Sequence, residues 1–554
     1  MKLYEATTTE ESARGVWRRL FLDDASWILL TAIAGAVVAG SAWLLASPDW
    51  LLSRQMTWDM LFNLSGAWYL HNGLAAHVDF HDPLGTLSFR LTAIGFWFTG
   101  PSVWAFIAGE CVVTAGLFVT ATAVAARRLP LVPAAMFVAF VCLLVLMPVN
   151  VGERVTDYTF AMDYNAMGWA MLCVLSLLLF VPPRVGPMSD WLDLAVAGVL
   201  IAGMYVLKIT YFGTAIVELG VAVCVCEHLR RRWRLWSALA AVMLLNAVAP
   251  YNWPYLRDIF TAVGTGAANS DPLGVIVVAL ANAPELSLMM IGAMVCLTLW
   301  HGRVAPARLP VGAILFIVAG VGVLTQNTQA RGLPLSVVLI FLLYDHFRGD
   351  PRTGRPAATS LVLLTLLILP LAGLTKQTAS LVAYHRHAIN GSALYAFERP
   401  ALRGLVIPRE EPGLLEAVST QKFDPGLFTR IRTVDTDEEE LSQFEYAQTI
   451  EEAAALFDDP ARRSGGIVLF DQVNPLPFIL GRAPPRGVTL WLHPAFPWQP
   501  AERMLGDAKY VLVPKFSTFR TVTDMALDRY GSYLAAHFPQ RIETRYWILL
   551  SRSP

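Results

Sequence analysis

The stretch from Trp58 to Gly85 gathers acidic and imidazole side chains in a chain that is otherwise poor in charge. It contains Asp59, Asp79, Asp82 and three histidines, whereas charged residues make up only 15% of the 554 residues. Carboxylates beside apolar segments need water, a partner or a chemical task. Asp59 has the chemistry of a general base that removes a proton from an attacking hydroxyl group. The alternative is an aspartate that caps a helix or is only solvated.

The segment from His77 to Asp82 also has the composition of a metal site. Imidazole and carboxylate groups at short spacing suit a divalent cation, and the ligands would be His77, Asp79 and His81. Pro83 opposes a helix that would bring the two histidines onto one face. We therefore favour a hydrogen-bonded loop that shapes a substrate cavity through Asp79, His81 and Asp82, and we expect no cofactor.

Further acidic and amide side chains lie near the ends of later apolar segments. Asp157 and Asp163 precede an apolar run that starts at Asn165. Asp163 is a candidate to share the chemistry of Asp59 or, alternatively, to cap the helix that follows. We expect Asp157 and Asn165 to line the same cavity. Glu110 lies within an apolar segment, where a carboxylate is costly unless it faces a wet cavity.

Two solitary cations occupy short turns between apolar segments. Lys208 lies in the turn from Val206 to Thr210, and Arg331 lies in the turn from Gln326 to Gly332. A lone cation at the depth of the lipid headgroups suits a phosphate partner. The alternative is a side chain that extends toward the headgroups without binding a ligand. We favour phosphate binding for both.

The composition classifies the chain as a polytopic membrane protein. It is 55% apolar, and its 15% of charged residues falls below the roughly 25% of typical soluble domains. The net charge of -1 gives no reason to expect a nucleic acid partner. Eleven apolar runs approach the length that crosses a bilayer. They are Trp27–Ala46, Ser102–Ala126, Leu131–Val149, Asn165–Val181, Trp191–Val206, Ile209–Cys226, Leu235–Tyr251, Leu286–Trp300, Val311–Thr325, Leu333–Tyr344 and Ala357–Leu374.

Basic residues concentrate in alternate loops, which predicts the orientation of the spans. If the N-terminus is cytoplasmic, the arginine-rich loops are all inside and each outer loop holds essentially one basic residue. We predict a cytoplasmic segment at 1–26, a transmembrane domain at 27–374 with its first outer loop at 47–101, and an extracytoplasmic domain at 375–554. In this last region, short β-rich runs alternate with helical patterns, which is typical of an α/β domain.

The segment from Pro83 to Phe98 is apolar enough to suggest a twelfth span. Arg90 lies in its middle, and a span here would move Arg127 and Arg128 to the outer side. We therefore predict an interfacial helix that lies on the outer leaflet.

Several of these segments together resemble a known family. An acid soon after the first span, then Gly73 and the sequence His77-Val-Asp-Phe-His-Asp-Pro-Leu-Gly85, is similar to the first outer loop of GT-C fold glycosyltransferases. The likeness is greatest to bacterial members related to aminoarabinose and galacturonosyl transferases and to protein O-mannosyltransferases. Further similarities follow in the same order along the chain. They are Asp163-Tyr-Asn-Ala-Met-Gly-Trp169, Leu207-Lys-Ile-Thr-Tyr211 and Asn327-Thr-Gln-Ala-Arg-Gly-Leu-Pro334.

The resemblance implies a GT-C-like membrane domain and a polyprenyl-phosphate sugar as donor. It also implies Asp59 as the catalytic acid/base, with Lys208 or Arg331 at the lipid phosphate. We expect transfer to an envelope glycan, lipid or protein acceptor at the outer face of a bacterial cytoplasmic (inner) membrane. One alternative is a transporter or flippase of a lipid-linked sugar, although we find no inverted repeat. The other is a non-catalytic scaffold for envelope assembly.

Overall fold

The chain is described here from a computed structural model, and most of it is helical. The structure describes residues 20–21, 26–184, 189–264, 283–325, 332–349, 356–389, 394–409, 441–494, 496, 498–518 and 520–553.

Each of the eleven predicted apolar runs contains a helix, and among the described residues three further helices lie between them. In chain order these fourteen helices are α1 (Trp27–Ala46), α2 (Thr57–His71), α3 (Leu87–Thr99), α4 (Trp104–Ala125), α5 (Leu131–Leu146), α6 (Asp163–Phe180), α7 (Ser189–Leu207), α8 (Ile209–Val225), α9 (Trp233–Ala247), α10 (Trp253–Gly264), α11 (Ala283–His301), α12 (Arg308–Leu324), α13 (Leu335–Gly349) and α14 (Pro356–Ile389). A one-turn helix, Glu227–Arg230, precedes α9, and a short 3-10 helix, Pro250–Asn252, precedes α10.

Helix length and composition support a membrane protein. Among the described residues, six helices are long and apolar enough to cross a bilayer, namely α1, α4, α6, α7, α11 and α14. A seventh candidate consists of α9 and α10 together, with a bend of 54° between them. The expected number was eleven, but α5, α8 and α12 are apolar helices of 17 residues or fewer. Their composition fits a span better than their length does.

Helix α3 coincides with the segment for which we predicted an interfacial helix. Its 13 residues extend about 20 Å, which is less than the roughly 30 Å of a bilayer core. It packs closely on α4, because a Cβ atom at Gly95 would lie 2.0 Å from the carbonyl oxygen of Ala105. Glycine is therefore required at this helix contact.

The described residues contain nine strands, namely β1 (Leu51–Leu52), β2 (Phe80–His81), β3 (Leu394–Ala396), β4 (Leu405–Pro408), β5 (Gly466–Leu469), β6 (Val488–Thr489), β7 (Ala508–Pro514), β8 (Gln540–Glu543) and β9 (Trp547–Ser551). Four strands of the C-terminal part form a mixed sheet in the order β5-β7-β9-β8. Strands β5 and β7 are parallel, whereas β9 is antiparallel to both of its neighbours. The longer helices of this part are α15 (Gln443–Ala455) and α16 (Arg520–His537); shorter ones are Pro400–Leu402, Pro460–Arg462, Leu476–Ile479 and Ala501–Met504.

Two side-chain hydrogen bonds tie α15 and α16 to this sheet. The indole N–H of Trp547 donates to the Thr449 carbonyl over 2.7 Å, and the Thr523 hydroxyl donates to the Phe470 carbonyl over 2.7 Å. Buried polar groups of this kind are satisfied only when helix and sheet keep this arrangement.

Two short parallel ladders join the first outer loop to the C-terminal part. Leu51 of β1 pairs with Leu405 of β4, and Phe80 of β2 pairs with Val488 of β6. Each ladder satisfies backbone groups that would otherwise lack partners in a buried loop. The outer loop and the C-terminal part therefore pack as neighbours, although hundreds of residues separate them in sequence.

The last apolar helix runs past the predicted domain boundary at Leu374 and ends at Ile389. Near its end, the Tyr384 hydroxyl accepts a hydrogen bond from the Leu52 amide over 3.2 Å. The last turns of α14 therefore contact the first outer loop. The predicted boundary between the transmembrane and C-terminal domains falls inside this continuous helix.

Arginines that are far apart in the sequence form ion pairs with two buried aspartates. Asp193 pairs with Arg127 and Arg128, and Asp345 pairs with Arg184 and Arg308. Three of these arginines lie between helices, and Arg308 is the first residue of α12. The pattern of basic residues in the sequence predicts that all four lie on the cytoplasmic side.

Candidate active site

Asp59 and Asp163, which are far apart in sequence, line the same cleft. The cleft encloses about 290 Å³, part of which is open to solvent. Carboxylate, amide, hydroxyl and aromatic side chains form its wall. The lining residues are Asp59, Phe62, Asn63, Ser88, Met162, Asp163, Tyr164 and Trp491. Four of them come from the first outer loop and three from the start of α6, whereas Trp491 comes from the C-terminal part.

Asp59 lies in the first turn of α2 and is partly buried. Its helix is fixed at this end by the C-terminal part, because the Thr57 amide donates to Oε1 of Gln443 over 2.8 Å. Burial and, secondarily, repulsion by the Asp163 carboxylate raise the pKa of Asp59 to about 7. A carboxylate with such a pKa accepts a proton near neutral pH and is suited to general base catalysis.

Asp163 is the first residue of α6, lines the cleft and is hydrogen-bonded to the side chain of another lining residue, Asn63. Its carboxylate accepts hydrogen bonds from the Tyr164 amide and from the side chain of Asn63. The Asn63 amide is oriented in turn, because its oxygen accepts from the Thr92 hydroxyl over 2.7 Å. The N-cap of α6 is Met162, so Asp163 is the first helical residue and not the cap, and it lines the cleft together with Asp59.

The helices that carry both acids begin after a strained residue. Met56 and Met162 have φ angles of 51° and 55°, in the left-handed region that non-glycine residues rarely adopt. Each of these residues immediately precedes the helix that positions an acid, α2 or α6. Backbone strain of this kind is typically held where the surrounding structure fixes functional groups.

Lys208 does not line the cleft but lies against the ring of Tyr164, which does. Its Nζ atom is 5.1 Å from the ring centroid of Tyr164 and 3.4 Å from Oδ1 of Asn165. Burial lowers the pKa of Lys208 to about 8, so the ammonium group remains mostly charged at pH 7. In the part of the chain described here, the Asn165 side-chain nitrogen and the Thr210 hydroxyl are buried without a hydrogen-bond partner. Within that part of the chain, the Asn165 amide next to the Lys208 ammonium group therefore has an unpaired N–H donor, and the unpaired Thr210 hydroxyl belongs to the second residue after Lys208.

Arg331, the second predicted phosphate ligand, lies outside the described residues. Glu110 is buried on α4 and lies close enough to Asp163 for the two carboxylates to repel each other, but it is not part of the cleft wall. Asp157 belongs to the loop before α6 and does not line the cleft.

Two of the three histidines in the first outer loop, His77 and His81, contact an aspartate that the sequence analysis did not name. The Nδ1 atoms of His77 and His81 lie 3.1 Å and 3.0 Å from Oδ2 of Asp258 on α10. The shared carboxylate ties the outer loop to α10. Within the described ranges, no group of three or more histidine, cysteine or acidic residues has an arrangement that would hold a metal ion.

Two other acids of this loop, Asp79 and Asp82, accept local hydrogen bonds and do not line the cleft. One Asp79 carboxylate oxygen accepts from the Ala75 amide over 2.8 Å, and one of Asp82 accepts from the Leu84 amide over 2.6 Å. The backbone carbonyl of Asp79 also accepts from the Gly487 amide of the C-terminal part over 2.6 Å. This segment is the hydrogen-bonded loop favoured above, but it does not bring Asp79, His81 or Asp82 to the cleft wall.

Sequence reasoning missed Asn63, Ser88 and Trp491 on the cleft wall. Asn63 had a detectable signal, because it lies four residues after Asp59 and therefore on the same face of a helix. Trp491 had none, since its position depends on the pairing of β2 with β6, and neither two-residue strand is marked by periodicity.

No protein-family model matches the chain, and no curated protein matches it at a significant level. Its function is therefore inferred from the side chains and the geometry of the cleft.

Proposed function

We propose that this protein is an integral membrane glycosyltransferase of the GT-C type. It transfers a sugar from a polyprenyl-phosphate donor to an acceptor hydroxyl at the outer face of a bacterial cytoplasmic membrane. In this proposal the chain crosses the membrane eleven times, with its N-terminus inside, and the C-terminal part is a periplasmic α/β domain. The observation that carries the proposal is the cleft shared by Asp59 and Asp163, with Asp59 at a pKa of about 7.

Asp59 acts as the general base. As the acceptor oxygen attacks the anomeric carbon of the donor, its proton passes to the Asp59 carboxylate. The new bond joins that oxygen to the anomeric carbon, and the bond from the anomeric carbon to the phosphate oxygen breaks. The electron pair of the broken bond leaves with the polyprenyl phosphate. The Asn63 amide holds Asp163 on the cleft wall, where its carboxylate is available to orient sugar hydroxyl groups.

Lys208 stabilises the departing phosphate. A cation in a partly buried setting stabilises developing negative charge more strongly than one in water. The ammonium group lies 5.1 Å from the ring centroid of Tyr164, a residue of the cleft wall. The buried Asn165 nitrogen and Thr210 hydroxyl supply further donors for phosphate oxygens. Arg331 is proposed as a second cation.

Donor turnover tests the proposal. The detergent-purified protein is incubated with a panel of polyprenyl-phosphate sugars carrying different labelled sugars, and the release of polyprenyl phosphate is measured. We expect the wild type to use at least one donor, and Asp59→Asn to be slower by about 100-fold or more, the usual range for loss of a general base. Asp157→Asn, an acid of the outer loops that is absent from the cleft wall, is the matched control and is expected to keep wild-type turnover.

The Asp59→Asn variant is expected to fold normally. A folded-state pKa raised to about 7 means that the native protein holds a proton which the unfolded chain releases near pH 4. Ionised Asp59 therefore destabilises the native state at pH 8, and asparagine removes that effect. A thermal unfolding temperature at or above that of the wild type separates lost catalysis from lost structure. Failure of the wild type to turn over every donor, or full turnover by Asp59→Asn, contradicts the proposal.

A further inference from the structure

We propose that Trp491 forms the acceptor side of the cleft and selects acceptors that present a pyranose ring. The acceptor is then a glycan or glycolipid, not the side-chain hydroxyl of a polypeptide. This inference rests on the proposed function, since it assigns the acceptor class to the same cleft.

Trp491 is the contribution of the C-terminal part to the cleft wall. Its indole ring lies 5.8 Å from the ring of Phe62, which lines the cleft one helical turn after Asp59, and 5.0 Å from the ring of Phe496. The three aromatic contacts of this indole in the described structure, with Phe62, His493 and Phe496, have interplanar angles of 55°, 57° and 83°. None of them is a parallel stack, so no aromatic ring of the described residues lies flat on this partly buried indole.

The backbone on both sides of Trp491 is held in place. The Leu490 amide donates to the His81 carbonyl over 2.9 Å, and the Leu492 amide donates to the Gln472 carbonyl over 2.9 Å. Trp491 itself forms an antiparallel bridge with Val473. The indole is therefore fixed relative to the outer loop that carries Asp59, which suits a residue that orients a substrate.

The chemistry of the cleft matches a sugar ring. A pyranose has an apolar face of C–H groups that packs on an aromatic ring, and hydroxyl groups at its edge that bind carboxylates and amides. The cleft offers both, with Phe62 and Trp491 as aromatic surfaces and Asp59 and Asp163 as carboxylates. The indole N–H is buried and lacks a hydrogen-bond partner among the described residues. A seryl or threonyl side chain is too small to cover the indole face.

Saturation-transfer difference NMR tests this assignment without the donor. The full-length protein in detergent is mixed with methyl α- and β-pyranosides of glucose, galactose and mannose, and separately with N-acetyl-serine-N-methylamide. We expect saturation of the ring C–H protons of at least one pyranoside by the wild type and a reduction of roughly fivefold to tenfold in Trp491→Ala, the usual effect of losing an aromatic contact. Trp491→Phe, which keeps an aromatic ring, is expected to retain about half of the signal or more.

Trp498→Ala is the matched control, because Trp498 is a second partly buried tryptophan of the same loop whose indole N–H also lacks a described partner, but it does not line the cleft. Its pyranoside signal should equal that of the wild type. The inference is overturned by the absence of pyranoside saturation, by equal signals in Trp491→Ala and wild type, or by saturation of the serine derivative alone. Since no donor is present, none of these results depends on the turnover experiment, and the two proposals fail separately.

Discussion

In the proposed mechanism, two titratable side chains near the cleft set opposite limits on activity with pH. Asp59 would have to be ionised to accept a proton, and Lys208 would have to be protonated to stabilise a phosphate. The pKa of Asp59 is raised to about 7 and that of Lys208 is lowered to about 8, in each case mainly by burial. The base therefore becomes active as pH rises through about 7, and the cation is lost as pH rises through about 8.

We predict a bell-shaped profile of kcat/KM for donor turnover, with its maximum between pH 7 and 8. The acidic limb belongs to the coupled pair of Asp59 and Asp163, because their carboxylates interact. Lys208→Arg should remove the alkaline limb, since a guanidinium stays charged far above pH 8, while the acidic limb remains. An alkaline limb that persists unchanged in Lys208→Arg would assign it to another group.

At the scale of elements, the outer loop and α7 approach each other so closely that only glycine fits between them. A Cβ atom at Gly85 would lie 1.9 Å from the carbonyl oxygen of Val206, and the Gly85 amide donates to the Leu207 carbonyl over 3.0 Å. Lys208, the proposed phosphate ligand, directly follows Leu207. Its position therefore depends on the absence of a side chain at residue 85.

We predict that Gly85→Ala destabilises the protein by about 1–3 kcal/mol, as overpacking usually does, and raises the KM for the donor. Gly213→Ala is the matched control, because a Cβ atom at Gly213 on α8 has no neighbour within 4 Å. Thermal unfolding and donor kinetics measured on both variants provide the comparison. Equal unfolding temperatures for the two variants would mean that the contact at Gly85 adjusts without cost.

Helix positions followed from the sequence, whereas the contacts between distant elements did not. Each apolar run became a helix because its backbone groups are satisfied within the segment, so local composition determines the result. The short β-rich runs predicted in the C-terminal region likewise coincide with strands, including β5 and β7. Strands β1 and β2 have only two residues each and exist because a distant partner satisfies their amides. The end of α14 at Ile389 was also missed, since its last turns are polar.

For the molecule as a whole, sequence reasoning named two acids of the cleft wall but not the other residues that line it. Asp59 and Asp163 were singled out because an acid at the end of an apolar segment is unusual, and they share a cleft. Asp79, His81 and Asp82 were predicted to shape the cavity as part of a hydrogen-bonded loop, but their side-chain hydrogen bonds lie within the loop or with Asp258 on α10. Residue type reveals an unusual carboxylate, but which partner satisfies it depends on tertiary packing.

The orientation of the whole molecule decides whether the cleft reaches a donor outside the cell. Arginine-rich loops gather at one end of the bundle, and the cleft lies near the starts of α2 and α6, toward the other end. Because basic loops stay on the cytoplasmic side, the cleft and α16 should face outward. Ala536 on α16 and Ala307 at the start of α12 are both exposed and mark the two ends.

We predict that Ala536→Cys, in a background without the six native cysteines, reacts with a membrane-impermeant maleimide in intact spheroplasts. Ala307→Cys should react only after permeabilisation. Exchange of one alanine for cysteine at each end keeps the chemistry identical, so a difference in labelling reports the side of the membrane. Reaction of both cysteines in intact cells would require an even number of spans between them. The reverse pattern would place Asp59 on the cytoplasmic side, where a periplasmic acceptor cannot reach it.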